Sequence, residues 1–585
     1  MTQHWPIALF AAVVAVIPFV PEIPPFWLVL LDNIGLAALV SMGLVLLTGV
    51  GGLTSFGQAA FCGFGAYTTA VLTTHFGLSP WLTLPASLLV SGLLAVILGL
   101  VTVRLSGHYL PLGTIAWGLS LYYLFSKLEF LGRNDGITGI PPLSVGSWSM
   151  IGAGSIYYVI WGGVLISAIL TLNLLDSRTG RAIRALRRGH LAAESFGVQT
   201  ARAKLLVFIH AAVLAGFSGW LYAHFIRAVN PTPFGAQAGI EYLFIAVVGG
   251  AGHVWGAVLG SGIVVVFKEV LKSAPYGEGQ LEVIVFGVLL VLLLQIAPEG
   301  MWPRLSAFWP FARPQAKPRK ASALPARAKA DSGEGKLLEV EGAQKRFGGV
   351  IAVNDVSFAV ASREIVALIG PNGAGKSTTF NLITGVLEAT AGRISLFGNP
   401  IAGLSPQEIV RRGVARTFQH VKLVPDMTVL ENVAIGAHLR GRSGAVSSML
   451  RLDREDEARL LAEAARQIER VGLGAQMHQL AGSLALGQQR IVEIARALCA
   501  DPVLLLLDEP AAGLRHNEKQ ALATLIRQLR DEGMSILLVE HDMGFVMNLA
   551  ERIVVLDFGT KIAEGVPSEI KTNADVIEAY LGVAA

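Results

Sequence analysis

The stretch that most constrains the fold of this chain is a nine-residue run, Gly370-Pro-Asn-Gly-Ala-Gly-Lys-Ser-Thr378. The apolar run from Ile365 to Ile369 precedes it and is typical of a buried parallel strand, and the residues that follow can form a helix. A strand, a glycine-rich turn with Lys-Ser and a helix together make a phosphate-binding loop. Glycines let successive backbone N–H groups close around phosphates, and the helix N-terminus adds its own unpaired N–H groups. The sequence therefore predicts an α/β domain that binds a nucleoside triphosphate.

Particular side chains of this loop have predicted roles. Lys376 can reach the β- and γ-phosphates, and the hydroxyl of Ser377 can hold Mg²⁺. The expected nucleotide contacts from the loop are Gly370, Asn372, Gly373, Gly375, Lys376, Ser377 and Thr378.

The rest of the chain is not uniform in composition. Its 585 residues are 53% hydrophobic and only 15% charged, against roughly 25% charged in ordinary soluble proteins. Long apolar runs fill residues 1–309, residues 310–336 are rich in Pro, Ala, Lys and Arg, and residues 337–585 have the composition of a soluble α/β domain. We therefore expect an α-helical polytopic membrane domain, a disordered basic linker and a cytoplasmic ATP-binding domain.

Charge and cysteine content exclude other classes of protein. A net charge of +4 is too small for this length to favour nucleic acid as a partner. Two cysteines exclude a disulfide framework and a cysteine-based metal site. The N-terminal apolar run has no Lys or Arg before it and no convincing cleavage site, so we interpret it as a membrane span and not as a signal peptide.

A membrane-crossing helix needs about 20 mostly apolar residues. The candidate spans are Pro6–Val20, Phe26–Val50, Phe56–Thr74, Trp81–Val103, Leu110–Phe125, Tyr157–Leu175, Leu205–Phe225 and Leu281–Ile296. A further apolar stretch, from Ile240 to Leu271, is too long for one span and is interrupted by the glycines around Gly250.

The orientation of the spans decides how this interrupted stretch is interpreted. The loop from Arg178 to Lys204 is rich in arginine and should be cytoplasmic, as should the ATP-binding domain. An even number of crossings must then separate them, which favours two short half-helices between Ile240 and Leu271. Within the basic loop, residues Arg181 to Val198 form a short amphipathic segment. The usual excess of Lys and Arg in cytoplasmic loops explains the charge of the loop but not its length.

Small and polar residues give one membrane helix an unusual face: Gly52, Thr54, Ser55, Gly57, Gln58, Gly63 and Gly65. Close packing of helices and a lining of the permeation path explain this face equally well.

Two further strands of the C-terminal half end in candidate catalytic residues. Leu504 to Leu507 form a fully apolar strand followed by Asp508 and Glu509. Because ligands bind at the carboxyl edge of a parallel sheet, Asp508 is placed to hold Mg²⁺ and Glu509 is a candidate general base for an attacking water. The strand Ile536–Val539 is followed by His541, which could hydrogen-bond the γ-phosphate.

With Phe418-Gln419 and Leu484-Ala-Leu-Gly-Gln488 between them, these motifs occur in an order that resembles the ATP-binding cassette of ABC transporters. The resemblance implies that Phe347 stacks on adenine and that Gln419 senses Mg²⁺ and water and faces the membrane subunit. It implies that Gly487 and Gln488 belong to the signature motif, which caps the γ-phosphate held by an opposite cassette. It also makes Asp508 and Glu509 the Walker B pair and His541 the switch histidine.

Two positions depart from the family pattern. Ala485 and Leu486 replace the Ser and first Gly of the usual Leu-Ser-Gly-Gly-Gln signature, so a hydroxyl donor is missing. Arg515 stands where an Asp is common. We expect the ATP site that this signature completes to be slow, although backbone donors remain.

The membrane half resembles a permease of the high-affinity branched-chain amino-acid importers. The runs that carry the resemblance are Gly52-Leu-Thr-Ser-Phe-Gly-Gln-Ala-Ala-Phe61, Asn134-Asp-Gly-Ile-Thr-Gly139 and Val248-Gly-Gly-Ala-Gly-His-Val-Trp-Gly256. Ala511-Ala-Gly-Leu514 and Val539-Glu-His-Asp-Met543 are similar to that family's cassettes.

The resemblance implies a permease fused to its ATPase in a bacterial inner membrane, with a second permease, a second and non-identical cassette and an external solute-binding protein as partners. It also implies that the cytoplasmic loop around Ala193, Glu194 and Gly197 docks onto the cassette near Gln419. Related systems carry urea, amides or aromatic acids, so the identity of the cargo stays open.

A half-size exporter is disfavoured because the spans are short and only one basic loop is substantial. A membrane-anchored ATPase acting on another protein is disfavoured by the glycine-rich, polar spans.

Overall fold

The computed structural model of the chain describes residues 5–20, 23–103, 105, 107, 109–187, 189–272, 280–308, 321–327 and 335–581. The chain divides into two compact units. The first unit consists of Met1–Asp176 and Ala201–Pro314, and the second of Ser177–Thr200 and Gln315–Ala585. The basic segment Ser177–Thr200 therefore groups with the C-terminal unit, whereas the predicted boundary assigned all of residues 1–309 to one domain.

The first unit is helical. Its first six helices are α1 Trp5–Val16, α2 Pro25–Leu44, α3 Gln58–Thr74, α4 Pro80–Thr102, α5 Tyr109–Lys127 and α6 Ala153–Leu175. The basic segment then forms α7 Arg178–Leu186 and α8 His190–Glu194, and the first unit resumes with α9 Thr200–Ile226, α10 Ala236–Gly249, α11 Val254–Lys272, α12 Gln280–Ile296 and α13 Met301–Ala307. Short strands on the connections are β1 Ile137–Thr138, β2 Ser144–Val145, β3 Trp148–Ser149 and β4 Ala228–Val229.

Five helices among the described residues are long and apolar enough to cross a membrane: Pro25–Val50, Pro80–Thr102, Gly154–Leu175, Thr200–Ile226 and Val254–Lys272. The first of these combines α2 with the wider helical turns Val45–Val50 that follow it.

The interrupted stretch between Ile240 and Leu271 is divided between two helices, α10 and α11, but α11 is itself long and apolar enough to cross a membrane and is not the short half-helix that was predicted. Helix α10 ends at Gly249, and α11 begins at Val254. A Cβ on Gly249 would lie 1.8 Å from the carbonyl oxygen of Gly256, so the two helices pack too closely here for any side chain.

Of the residues predicted to form one small, polar helical face, only Gln58, Gly63 and Gly65 lie on α3, because that helix begins at Gln58 and the other four residues precede it. The glycines that do lie on α3 serve close packing. A Cβ on Gly65 would lie 2.1 Å from the carbonyl oxygen of Gly216 on α9. Conversely, a Cβ on Gly219 would lie 1.9 Å from the carbonyl oxygen of Cys62 on α3. The packing interpretation of this face therefore holds for Gly65, and the permeation-path interpretation stays a hypothesis.

The second unit continues with an α/β architecture. Its strands are β5 Lys336–Phe347, β6 Val350–Ala361, β7 Ile365–Ile369, β8 Ala391–Leu396, β9 Asn399–Pro400, β10 Val414–Arg416, β11 Leu504–Asp508, β12 Ser535–Val539, β13 Arg552–Asp557 and β14 Thr560–Gly565. Its helices are α14 Lys376–Ile383, α15 Pro406–Arg412, α16 Val429–Gly436, α17 Ala445–Met449, α18 Arg454–Arg470, α19 Leu486–Leu498, α20 His516–Asp531, α21 Met543–Leu549, α22 Pro567–Thr572 and α23 Ala574–Leu581.

Two sheets organise this unit. The six-stranded sheet has the order β10-β11-β12-β7-β13-β14 and is parallel except for β14. The second sheet is antiparallel, with the order β6-β5-β8-β9. Strands β7, β11 and β12 are buried at every position, which explains why, apart from Asp508 and Ser535 at their ends, their sequences are apolar runs and not alternating patterns.

The linker prediction requires a correction. Residues 310–320 and 328–334 lie outside the described part of the chain, but residues 321–327 pack on the second unit. Leu324 is buried in an apolar cluster with α16, α18 and α19. The backbone N–H of Arg327 donates to Asp501 at 2.6 Å, and its guanidinium donates to the carbonyl oxygen of Arg411 at 2.6 Å. These contacts overturn the interpretation of residues 310–336 as disordered throughout.

Candidate functional site: a nucleotide site and the segment that contacts it

The three predicted motifs meet at one edge of the parallel sheet because their strands are neighbours in register. Asp508, the last residue of β11, pairs with Val539, the last residue of β12, and Val539 pairs with Leu368 of β7. The loops that follow these strands hold the phosphate-binding run, Glu509 and His541. The sheet order thus places the nucleotide motifs side by side, as expected for the carboxyl edge of a parallel sheet.

The phosphate-binding loop has the backbone that its glycines predict. Gly373 and Gly375 have φ angles of 87° and 94°, in the region that favours glycine. The Lys376 ammonium folds back over the loop and donates to the carbonyl oxygens of Gly370 at 2.7 Å and Pro371 at 2.9 Å. Burial lowers the pKa of Lys376, while the carboxylates of Glu509 and Asp508 raise it. A Cβ on Gly373 would meet no atom within 4 Å, so the loop is open to its surroundings at this position.

The predicted catalytic side chains are in contact with one another. The Glu509 carboxylate lies 2.8 Å from Nε2 of His541 and accepts a hydrogen bond from Nε2 of Gln419 at 3.0 Å. The backbone N–H of Glu509 donates to the carbonyl oxygen of Val539 at 2.9 Å. Glu509 has a φ of 48°, a conformation that non-glycine residues rarely adopt. Strained backbone of this kind is concentrated at functional sites.

Other predicted residues lie apart from this cluster. Gly487 and Gln488 are in the first turn of α19, which begins at Leu486. Phe347 ends β5 with 47% of its surface exposed, and Nζ of Lys345 lies 5.2 Å from the centre of its ring. Within residues 335–581, no side-chain hydrogen bond joins Gln488 to Glu509.

Arg416 is part of the site, although no motif in the sequence identified it. This buried residue ends β10, and its guanidinium donates to the side chains of Asn381 at 2.8 Å and Thr384 at 3.0 Å. Its Nη2 lies 3.5 Å from Oδ2 of Asp508, and its guanidinium stacks over the ring of Phe418 at 4.9 Å. Burial raises the pKa of Asp508, and Arg416 counteracts that effect. One cation thus joins the predicted Mg²⁺ ligand to the strand that leads into Gln419.

The basic segment Ser177–Thr200 carries a buried ion pair. Arg181 pairs with Glu457 of α18, and both side chains are less than a tenth exposed. Arg178 donates to the carbonyl oxygens of His438 at 2.6 Å and Gly441 at 2.8 Å. Because a buried carboxylate is costly without a partner, these arginines hold the segment in one position on the second unit.

The same segment contacts the helix that begins with the signature motif. Phe196 is 1% exposed, and the guanidinium of Arg496 on α19 lies 4.4 Å from its ring centre. Arg496 also donates to the carbonyl oxygen of Lys422 at 3.0 Å, and the N–H of Lys422 donates to Glu493 at 2.7 Å. Lys422 lies three residues after Gln419, so the basic segment, the signature helix and the glutamine loop form one contact network.

Three family models match the chain. Residues 28–294 match the permease component of the branched-chain amino acid transport system. Residues 353–512 match the ABC transporter model, and residues 560–585 match the branched-chain amino acid ATP-binding cassette transporter model.

Curated relatives match the second unit. The high-affinity branched-chain amino acid transport ATP-binding protein LivG of Salmonella typhimurium is 48% identical over 251 residues, which cover 42% of this chain and 98% of that protein. The corresponding protein BraF of Pseudomonas aeruginosa is 44% identical over the same shares. A crystal structure of a nucleotide-free ATP-binding cassette from an ABC transporter is 32% identical, with a TM-score of 0.39, and covers 43% of this chain and 100% of that chain.

Proposed function

The chain belongs to the branched-chain amino acid ABC transporter family, with a permease and an ATP-binding cassette in one polypeptide, and we propose that it uses ATP hydrolysis to import leucine, isoleucine or valine. It is a multi-pass membrane protein with a cytoplasmic ATPase. We assign it to the bacterial inner membrane.

The contact of Glu509 with His541 and Gln419 carries the catalytic part of the proposal. Glu509 accepts the proton of the attacking water, and His541 holds the γ-phosphate in line. Ser377, Asp508 and Gln419 supply the oxygen ligands that Mg²⁺ prefers. When bound, Mg²⁺ neutralises charge on the phosphate oxygens. Lys376 adds a fixed positive charge at the same place.

Coupling to transport follows from the basic segment. A shift of Gln419 on ATP binding reaches Lys422 along the short backbone between them, and Arg496 contacts both Lys422 and Phe196. Because the segment connects α6 and α9, movement of Phe196 is transmitted to two membrane helices and changes access to the permeation path.

The proposed assembly contains further chains. The signature residues Gly487 and Gln488 complete the ATP site of an opposite cassette, so one copy of this unit is not sufficient. We propose a second permease, a second and non-identical cassette, and an external solute-binding protein that delivers the cargo. Family membership does not support the half-size exporter.

The test is uptake of labelled leucine by cells that contain this chain and its partner subunits, with unlabelled valine, urea or benzoate as competitors. We expect valine to compete and the other two solutes to have no effect. Competition by urea or benzoate alone would replace the cargo with an amide or an aromatic acid. Accumulation that does not depend on ATP would contradict an ABC importer of any cargo.

A further inference from the structure

Glu540 is a buried acid between the two loops of the catalytic site. It follows β12 directly and is 2% exposed. One of its carboxylate oxygens accepts the backbone N–H of Ala511 at 2.6 Å, and the other accepts the backbone N–H of His541 at 3.0 Å. Ala511 lies two residues after Glu509, in the loop after β11. A single carboxylate therefore joins the loop of the general base to the loop of the switch histidine.

The loop that Glu540 holds is strained. Glu509 has the left-handed φ of 48°, and its carbonyl oxygen accepts the N–H of Ala512 at 3.2 Å. A non-glycine residue keeps such a conformation only when its surroundings over-determine it. The charge-assisted hydrogen bond from Ala511 to Glu540 is short, and bonds of this kind are about twice as strong as neutral ones. It fixes the turn in the form that directs the Glu509 side chain to His541.

Burial also constrains the chemistry of Glu540 itself. Burial raises its pKa, and the N–H groups of Ala511, His541 and Asp542 lower it. A carboxylate offers acceptors on both oxygens, whereas an amide offers an acceptor on only one. Replacement by glutamine thus preserves the size of the side chain and removes one of the two loop contacts.

We propose that Glu540 is a positioning residue for ATP hydrolysis, which holds the backbones of Ala511 and His541 so that the side chains of Glu509 and His541 stay in contact. It acts through Glu509 and does not itself touch the nucleotide. The proposal rests on the ATP hydrolysis assigned to this chain above.

The experiment compares ATP hydrolysis by the purified assembled complex with Glu540→Gln and with Glu540→Asp. We expect kcat to fall at least tenfold in Glu540→Gln while KM for ATP stays within twofold, because the phosphate-binding loop is untouched. Glu540→Asp keeps two acceptor oxygens and should retain more activity than Glu540→Gln. Glu578→Gln, the same change at an exposed position on α23, serves as the matched control and should match the wild type.

A double variant separates positioning from general structural damage. If Glu540 acts through Glu509, adding Glu540→Gln to Glu509→Gln leaves the residual rate unchanged, since residues that act as a unit are not additive. An unchanged kcat in Glu540→Gln would overturn the proposal. The proposal would also be overturned if kcat, the affinity for ATP and the thermal unfolding midpoint all decreased in parallel in both Glu540 variants. A wild-type complex without ATP hydrolysis would contradict the proposed function instead.

Discussion

The ring of Phe196 lies against the guanidinium of Arg496, with 4.4 Å between the ring centre and the guanidinium carbon. Phe196 belongs to the segment that connects two membrane helices, and Arg496 belongs to the helix that begins with the signature motif. Gly197 follows with a φ of 82°, and a Cβ there would lie 2.1 Å from Leu439. The turn at Gly197 therefore presents Phe196 to Arg496 with a backbone conformation that favours glycine, and a side chain at this position would displace Leu439.

Phe196→Ala should uncouple hydrolysis from transport. The substitution removes a buried ring and its cation–π contact but leaves the nucleotide site unchanged. We expect ATP hydrolysis without cargo to stay within about twofold, and cargo-stimulated hydrolysis and uptake to fall by about tenfold or more. Leu191→Ala, at an exposed position of the same segment, is the control. Equal loss of hydrolysis with and without cargo would show that Phe196 only supports folding.

Arg181→Met should loosen the contact of the basic segment Ser177–Thr200 with α18. It leaves Glu457 buried without its ionic partner, a change that typically costs about 3–5 kcal/mol. Thermal unfolding of the complex and hydrogen exchange of the α7 amides measure this loss. The double variant Arg181→Met with Glu457→Leu should recover most of it, since an apolar pair of similar volume is often as stable as a buried ion pair. If the double variant recovered no stability, the loss in Arg181→Met would not come from the broken ion pair.

Leu324→Asp should release the docked part of the linker. A charge at this buried position cannot stay in the apolar cluster with α16, α18 and α19. We expect trypsin to cut after Arg327 at least tenfold faster in the variant, because the contacts of Arg327 with Asp501 and Arg411 then open more often. Ser322→Ala, at an exposed position of the same segment, is the control. Fast cleavage in the wild type would show that the segment is not docked.

Ala485→Ser should accelerate the ATP site that this signature completes. Ala485 is the N-cap of α19, and no side-chain hydrogen bond caps the helix there. A serine can accept an N–H of the first turn, which is worth about 1 kcal/mol, and its hydroxyl restores a donor to the opposite γ-phosphate. Turnover by the complex should rise by about tenfold. An unchanged rate would place the slow step at the other ATP site or in the membrane.

The local parts of the site follow from the sequence. The phosphate-binding loop, the acidic pair at Asp508 and the histidine at His541 each sit at the end of a fully apolar strand. Residue order and the parallel-sheet rule therefore suffice to place them at one edge. The position of the break in the membrane stretch was predictable in the same way, because glycines mark it, whereas the length of α11 was not.

The other contacts of the site join residues that are far apart in the sequence, so they could not be predicted from local patterns. Arg416 reaches Asp508 and Glu540 reaches Ala511 only because β10, β11 and β12 are adjacent in this order. The amphipathic pattern of the sequence identified the basic segment, but it did not predict that Arg181 would be buried against Glu457. The composition of residues 310–336 predicted disorder throughout, because a single buried leucine, Leu324, hardly changes the average hydrophobicity of the linker.

ATP-dependent accumulation of labelled leucine in membrane vesicles that contain the assembled complex tests most directly whether hydrolysis at Glu509 drives import. Wild type, Glu509→Gln and the control Glu578→Gln are compared at equal amounts of complex. We predict that leucine accumulation collapses by about a hundredfold or more in Glu509→Gln, as expected for loss of a general base, and persists in the control. Leucine accumulation that is the same in all three complexes would contradict the claim that hydrolysis at this chain's own site drives import.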